Sequence, residues 1–373
     1  MKKKVMAFVL TASMILPLVA CGNSGGSGAA VPAAKTEAAS ENTEAAQTEA
    51  KKAEAADGTE AAGEAQAAAT AGASYSINVA STFAPEGPVH QVMEEFKSNI
   101  ETASGGRIKV VIHPSGALGG AREVAEGLHA GTIEMGALGC EDFEYYAPEY
   151  SILEAPYLFR DVDHFKNFMD TYGDQIFSEV QEKSGIMTSA WFYRGARMMT
   201  ANKKIEKPED LKGLKFRLPS IPVRVSVFEA FGASPTIVDF SELYMALKTG
   251  TVDAQENPPE TIYSYKYYEA QKYLILSSHI FTLARYITSE SWFNTLTPED
   301  QALIGQAWAD AQAKVTAEYP DPDATYIEKC QAEGMEVVTP DNEAFIKLAA
   351  PVVQEYNDKN WKPGLLDMVN DLK

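Results

Sequence analysis

Apolar positions change period repeatedly along residues 75–292, and each change marks a boundary between elements. Tyr75–Ser81 alternates apolar and polar side chains and predicts a strand. Val89, Val92, Met93, Phe96 and Ile100 then fall on one face at helical spacing, so 87–102 predicts an amphipathic helix, broken by Ser104-Gly105-Gly106. Ile108–His113 reads as strand, Ala121–Ala130 as helix, 133–138 as strand, 163–183 as a long helix and 186–193 as strand. The rhythm repeats with strands at 214–218, 236–238 and 252–255 alternating with helices at 223–231, 241–247 and 259–268. Two further strands are expected at 273–277 and 285–292, and Thr297-Pro298-Glu299-Asp300 is a capped helix start. This alternation predicts an α/β fold with parallel-rich sheets covered by helices. Some 300 residues is large for one such layer, so two lobes are expected.

The first 73 residues belong to a different class. Lys2-Lys3-Lys4 precedes a short apolar run ending in Leu18-Val19-Ala20-Cys21. That run is too short to span a membrane and reads as an export signal over 1–20. Its end resembles the lipobox of bacterial lipoproteins, which makes Cys21 the expected lipidation site, anchored to the outer face of the cell membrane. Residues 22–73 contain no aromatic residue, Leu, Ile or Met, and 20 of these 52 are Ala. Such a segment cannot offset its ordering entropy by burial, so 21–73 reads as a lipidated Cys followed by a disordered tether. Over all 373 residues the formal charge is −20. That excess excludes a nucleic-acid partner held by phosphate contacts. Cys21, Cys140 and Cys330 are far apart, so no disulfide framework or Cys-x-x-Cys motif is present, and Cys140 and Cys330 read as inert thiols.

Ligands of open α/β sheets sit beyond the carboxyl ends of the strands. Arg197, Arg217 and Asn257 stand at such ends. An Arg held where a strand gives way to Pro can grip a carboxylate with two parallel hydrogen bonds, and an Asn can add a donor and an acceptor. On spacing alone, arginines making ordinary surface ion pairs are the commoner outcome.

The stretch Lys212-Gly213-Leu214-Lys215-Phe216-Arg217-Leu218-Pro219 changes that balance. So do Gly232-Ala233-Ser234-Pro235-Thr236, Phe240-Ser241-Glu242-Leu243-Tyr244 and Val252-Asp253-Ala254-Gln255-Glu256-Asn257-Pro258. Together these resemble the solute-binding proteins of tripartite ATP-independent periplasmic (TRAP) transporters, the DctP family, over residues 75–373. The resemblance implies a two-lobed periplasmic-binding-protein-like fold with a hinge and a long C-terminal helical region. Lobe 1 is expected at about 74–196 plus part of 284–373, and lobe 2 at about 197–283 plus C-terminal helical elements. It also implies an extracytoplasmic receptor, without cofactor or metal, that hands a small organic acid to membrane permease subunits. Arg217 is the implied carboxylate clamp, Arg197 its helper, Asn257 a further contact and Phe240 an aromatic packing on the ligand. Pro320 and Pro322 interrupt the family's long C-terminal helix and predict a kink or a split.

Ser81, Thr82, Glu86 and His90 are candidates for reading ligand hydroxyls, which favours a sugar acid such as a uronate or aldonate, with a C4-dicarboxylate next. Loop capping and solvation are the ordinary alternatives for these four, as they are for Glu141 and Asp142. Tyr263, Tyr265, Tyr267 and Tyr268 read as half-buried packing. No phosphate loop, zinc motif or nucleophile elbow is present, and the five histidines are scattered singly, so catalysis is not expected. The rival readings are an extracytoplasmic enzyme acting on an organic acid and a surface sensor lipoprotein of the same fold.

Overall fold

Nine strands form a single mixed sheet in the computed structural model of the chain, which describes residues 74–372. The export signal, Cys21 and the tether lie outside the described residues. The strands are β1 (Tyr75–Ser81), β2 (Ile108–His113), β3 (Met135–Leu138), β4 (Ile186–Ala201), β5 (Lys215–Leu218), β6 (Ser234–Ile237), β7 (Ala254–Asn257), β8 (Tyr273–Ser289) and β9 (Glu336–Val338). Their order is β2-β1-β3-β8-β4-β7-β5-β6, with β9 beside β8. Five of the eight ladders are parallel, as the strand–helix rhythm requires. The three that involve β3–β8, β4–β7 and β4–β8 are antiparallel.

The principal helices are α1 (Pro88–Ala103), α2 (Ala121–Ala130), α3 (Val162–Ser184), α4 (Pro222–Ala230), α5 (Pro259–Ser264), α6 (Pro298–Glu318), α7 (Pro322–Ala332) and α8 (Asn342–Lys359). Around β1 and β2, the buried stripe Val92, Met93, Phe96 and Ile100 of α1 meets Ile304, Trp308 and Ala311 of α6. Phe96 and Trp308 stack there with centroids 3.8 Å apart. A second core joins β5, α4, α8 and α3 through Phe216, Phe228, Phe345 and Phe168. β4 and β8 contribute residues to both cores.

Two sequence expectations need correction here. The strand expected at 186–193 continues to Ala201, and those expected at 273–277 and 285–292 are one strand of 17 residues. Gly195, Arg194 and the polar run Ser277-Ser278-His279 imitate strand ends, but the structure accommodates them as irregularities in the β4–β8 register at Tyr193/Gly195 and Arg197/Met199. Arg197, expected just beyond a strand end, therefore lies inside a continuous strand. The prolines do split the C-terminal helical region: α6 ends at Glu318 and α7 starts at Pro322.

The break delivers Asp323 to the β4 irregularity. Its carboxylate accepts from Ala196 N–H (3.0 and 3.1 Å) and from Tyr193 OH (2.9 Å). Gly195, at φ 113°, is required by this approach, since a Cβ there would stand 2.5 Å from Asp323 Oδ1. Burial pushes the Asp323 carboxyl up to about 6, the hydrogen bonds opposing it. The folded value thus exceeds the unfolded one near ~3.9, so the folded state holds the extra proton between the two and stability falls as pH rises through that window. Carrying the charge at pH 7 costs on the order of 2–3 kcal/mol. Asp323→Asn is expected to melt several degrees above the parent at pH 7 and with it near pH 4, by thermal denaturation at the two pH values; a parent more stable than the variant at pH 7 refutes this.

Candidate functional site

Five arginines are buried among the described residues: 194, 197, 217, 224 and 285. A buried guanidinium without an anion is costly, so their partners define the site. Arg197 sits against Glu256, forming an ion pair through Nε and donating from Nη2 to Glu256 Oε1 (3.0 Å), the Glu256 carbonyl (2.7 Å) and Asn257 Oδ1 (3.0 Å). Arg224, one turn into α4, pairs with Glu154 and reaches Glu256 Oε1 at 3.3 Å. Arg285 pairs with Asp142.

Glu256 is the hub. It is wholly buried, and burial alone would raise its pKa, but the charges of Arg197 and Arg224 and a hydrogen bond from His279 hold it well below the usual carboxylate range. His279 Nε2 lies 3.1 Å from Glu256 Oε2 and its Nδ1 2.8 Å from Ser277 Oγ. Burial lowers the His279 pKa, so the ring is neutral, and because the carboxylate only accepts, the proton belongs on Nε2. The β8 segment that places His279 departs from regular strand geometry, with Ser278 at φ 42°.

Arg217 and Arg194 make no ion pair, though Glu256 and Glu260 act on them from a distance. Arg217, 3% exposed at the end of β5, donates from Nε to the Val238 carbonyl (2.8 Å) and lies 6.0 Å from the Phe240 ring centroid, with no ion pair. Burial lowers its pKa to about 10. Phe240 in turn packs edge-on to Tyr265 at 4.8 Å, and Tyr265 OH donates to the Thr82 carbonyl (2.7 Å), joining this wall to the loop after β1. Arg194 donates from Nη2 to Thr261 Oγ1 (2.7 Å) and lies over Phe83, while its Nε is buried without an acceptor.

A cavity of about 20 Å³ lies among Glu141, Glu154, Arg194, Arg197 and Arg224, with Thr282 of β8 at its edge. That holds about one water molecule, so an organic acid enters only if the walls part. Among the described residues no group of three or more His, Cys, Asp or Glu is placed to hold a metal. A larger groove, about 200 Å³, lies between Pro156–Leu158 and α8 without a charged wall residue.

The candidates from sequence fare differently. Arg197 lines the cavity and bonds to Asn257, whereas Arg217 and Phe240, beside each other, are not among its lining residues. Arg197 is already committed to Glu256, and Asn257 accepts from Arg197 and donates to Gln255 Oε1 (2.6 Å), which leaves Arg217 as the arginine without an ion pair among them. Ser81 Oγ accepts from Phe83 N–H (3.1 Å), which is loop capping. Thr82 contributes its carbonyl to Tyr265. Glu86 is exposed, and His90 pairs with Glu94 one turn along α1 at 3.3 Å, so neither converges on the buried arginines. Arg224, Glu154, His279 and Arg194 were not legible as site residues. The one available signal was density, since four of the chain's eight arginines fall between 194 and 224.

Residues 79–360 match the family model for the bacterial extracellular solute-binding protein, family 7. The chain is similar to the 2,3-diketo-L-gulonate-binding periplasmic protein of Escherichia coli (strain K12), with 31% identity over 76% of this chain and 88% of that one. Among solved structures, it resembles a TRAP periplasmic solute binding protein from Polaromonas sp. JS666 bound to D-erythronate. That match has 30% identity and TM-score 0.75, and covers 80% of this chain and 99% of that chain. A similar protein from Roseobacter denitrificans OCh 114, with bound L-galactonate, shows 30% identity, TM-score 0.74 and coverage of 80% and 98%.

Proposed function

This chain belongs to the bacterial extracellular solute-binding proteins of family 7, the receptors of TRAP transporters, and from that premise we propose that it captures a small sugar acid by its carboxylate at Arg217. The receptor class is one of binding proteins for organic acids, not of enzymes. The observation that carries the reading is charge accounting: Arg217 is a buried cation with no acid of its own, while Arg197, Arg224 and Arg285 each have one. An arriving carboxylate supplies the missing anion in a site held on a strand, and the fork of Arg217 fits it with two hydrogen bonds. Arg197, fixed by Glu256, backs the clamp electrostatically, Phe240 packs on the ligand and Asn257 exchanges an internal bond for a ligand hydroxyl. The sugar-acid choice is supported by the ligands of the similar proteins, a diketogulonate, an erythronate and a galactonate.

The anchoring reading goes with it. Cys21, following Leu18-Val19-Ala20, is the proposed lipidation site, with 22–73 as tether and the membrane permease subunits as partners. The two lobes, divided near Arg197, close on the acid.

A thermal-shift screen of the full chain against aldonates, uronates and C4-dicarboxylates tests the substrate class. At a hundred times its dissociation constant a ligand adds ~2.7 kcal/mol, a shift of several degrees. Stabilisation by sugar acids is expected; a shift with C4-dicarboxylates alone would replace the substrate class, and none with any acid would sink the reading.

A further inference from the structure

Arg194 is the other buried arginine without an acid, and its backbone is unlike theirs. It occupies the register irregularity between Tyr193, opposite Leu283, and Gly195, opposite Thr282. Irregularities of this kind insert a residue outside the ladder and re-aim its side chain. Here the guanidinium stacks 4.4 Å from the Phe83 centroid, uses Nη2 on Thr261 and keeps a buried Nε with no acceptor, on the wall of the cavity shared with Arg197. An orphaned, fully desolvated N–H costs free energy unless an incoming group takes it.

Glu141 is on the same cavity wall, beyond the carboxyl end of β3. It makes no hydrogen bond or ion pair, and its carboxylate folds over Gly139, where a Cβ would stand 2.2 Å from Oε2. The cavity wall thus presents two kinds of open group: buried N–H donors without acceptors, at Arg194 Nε and Arg224 Nε, and the half-buried Glu141 carboxylate, which no hydrogen bond holds. A hydroxyl satisfies both, accepting from Arg194 and donating to Glu141. A second carboxylate cannot, because it has no proton for Glu141 and meets a like charge; Glu260, buried on α5, adds to the negative field felt at Arg194.

We propose that Arg194 and Glu141 are specificity-determining residues that read ligand hydroxyls as a donor–acceptor pair, so that this receptor selects polyhydroxy monoacids over unsubstituted dicarboxylates. The inference rests on the carboxylate clamp described under Proposed function. It moves hydroxyl reading to the wall shared with Arg197, which neither Ser81, Thr82, Glu86 nor His90 lines; Ser81 Oγ caps Phe83, Glu86 is exposed and His90 Nε2 pairs with Glu94.

The test is calorimetric titration of the full chain with D-galacturonate, D-gluconate and succinate, comparing the parent with Glu141→Gln, Arg194→Gln, Arg194→Lys and Arg217→Ala. A site built to hydrogen-bond a hydroxyl strongly rejects the analogue lacking it. The parent is expected to prefer at least one hydroxy acid over succinate by tenfold or more. Glu141→Gln and Arg194→Gln should each cut hydroxy-acid affinity at least tenfold and leave succinate unchanged or tighter, with Arg194→Lys in between. Equal losses for all three acids, or no loss, overturn the inference. If Arg194→Gln does not fold, Glu141→Gln, which breaks no bond, decides the selectivity ratio alone. If Arg217→Ala abolishes binding while the ratio stays fixed, only this inference falls; if the parent binds no acid, the clamp reading falls and takes it along.

Discussion

Arg217→Ala is expected to lose acid binding and to keep the fold. In the proposed complex Arg217 is one half of a buried, hydrogen-bonded charge pair whose other half is the ligand, and removing one partner costs about 2–5 kcal/mol, roughly 30-fold in affinity or more. Arg217→Lys keeps the charge without the fork and should fall between the two. The sign for stability is opposite. Burial lowers the Arg217 pKa to about 10, so at neutral pH the folded protein carries a cation it would rather shed, and that penalty is relieved as pH rises through the folded value. Arg217→Met, which replaces the arginine with an unbranched apolar side chain, is therefore expected to melt at or above the parent in the absence of ligand while binding no acid. Melting curves with and without ligand separate the two effects. A variant with parental affinity would remove Arg217 from the site, and one that melts far below the parent would show that its hydrogen bond to Val238 outweighs its desolvation.

Glu256→Gln is the second large effect, and here stability is what fails. Glu256 neutralises Arg197, shares Arg224 with Glu154 and accepts from His279, all out of contact with solvent. Breaking such a network from one side costs about 3–5 kcal/mol, because buried positive charge is left over. For a domain of this size that is roughly 10 °C of melting temperature. The pH dependence follows from the sign of the shift. The folded pKa of Glu256 lies below its unfolded value, so its stabilisation is fully present above about pH 4.5 and fades only as pH falls toward the depressed folded value. The parent should keep most of this contribution in mildly acid buffer, and Glu256→Gln should lack it at every pH. A variant within a degree or two of the parent would mean that Glu154 and solvent suffice for both arginines.

The residue pattern carried much of this molecule without any coordinates. β1, β2 and α2 fall where periodicity puts them, since each is short, one-faced and bounded by Gly or Ser clusters that leave no second solution. The Pro320-Asp321-Pro322 break needed no tertiary information either, because a ring without an N–H cannot continue a helix. Arg217, at the end of a short strand and before Pro219, could be singled out for the same local reason.

What local pattern could not decide was which arginines are free. Arg194, Arg197, Arg217 and Arg224 look alike in sequence. Arg197 is neutralised by a carboxylate 59 residues away and Arg224 by one 70 residues away, whereas Arg217 meets only a carbonyl. The continuity of β4 and β8 was hidden for a related reason. Their polar and Gly-containing middles read as loops until each strand is laid against the other, where the irregular register absorbs them and His279 finds Glu256. Period and punctuation are properties of neighbouring residues, so the chain alone determined the elements. Ion pairing depends on distances between residues far apart in sequence, so only the folded sheet decided where the unpaired cations lie.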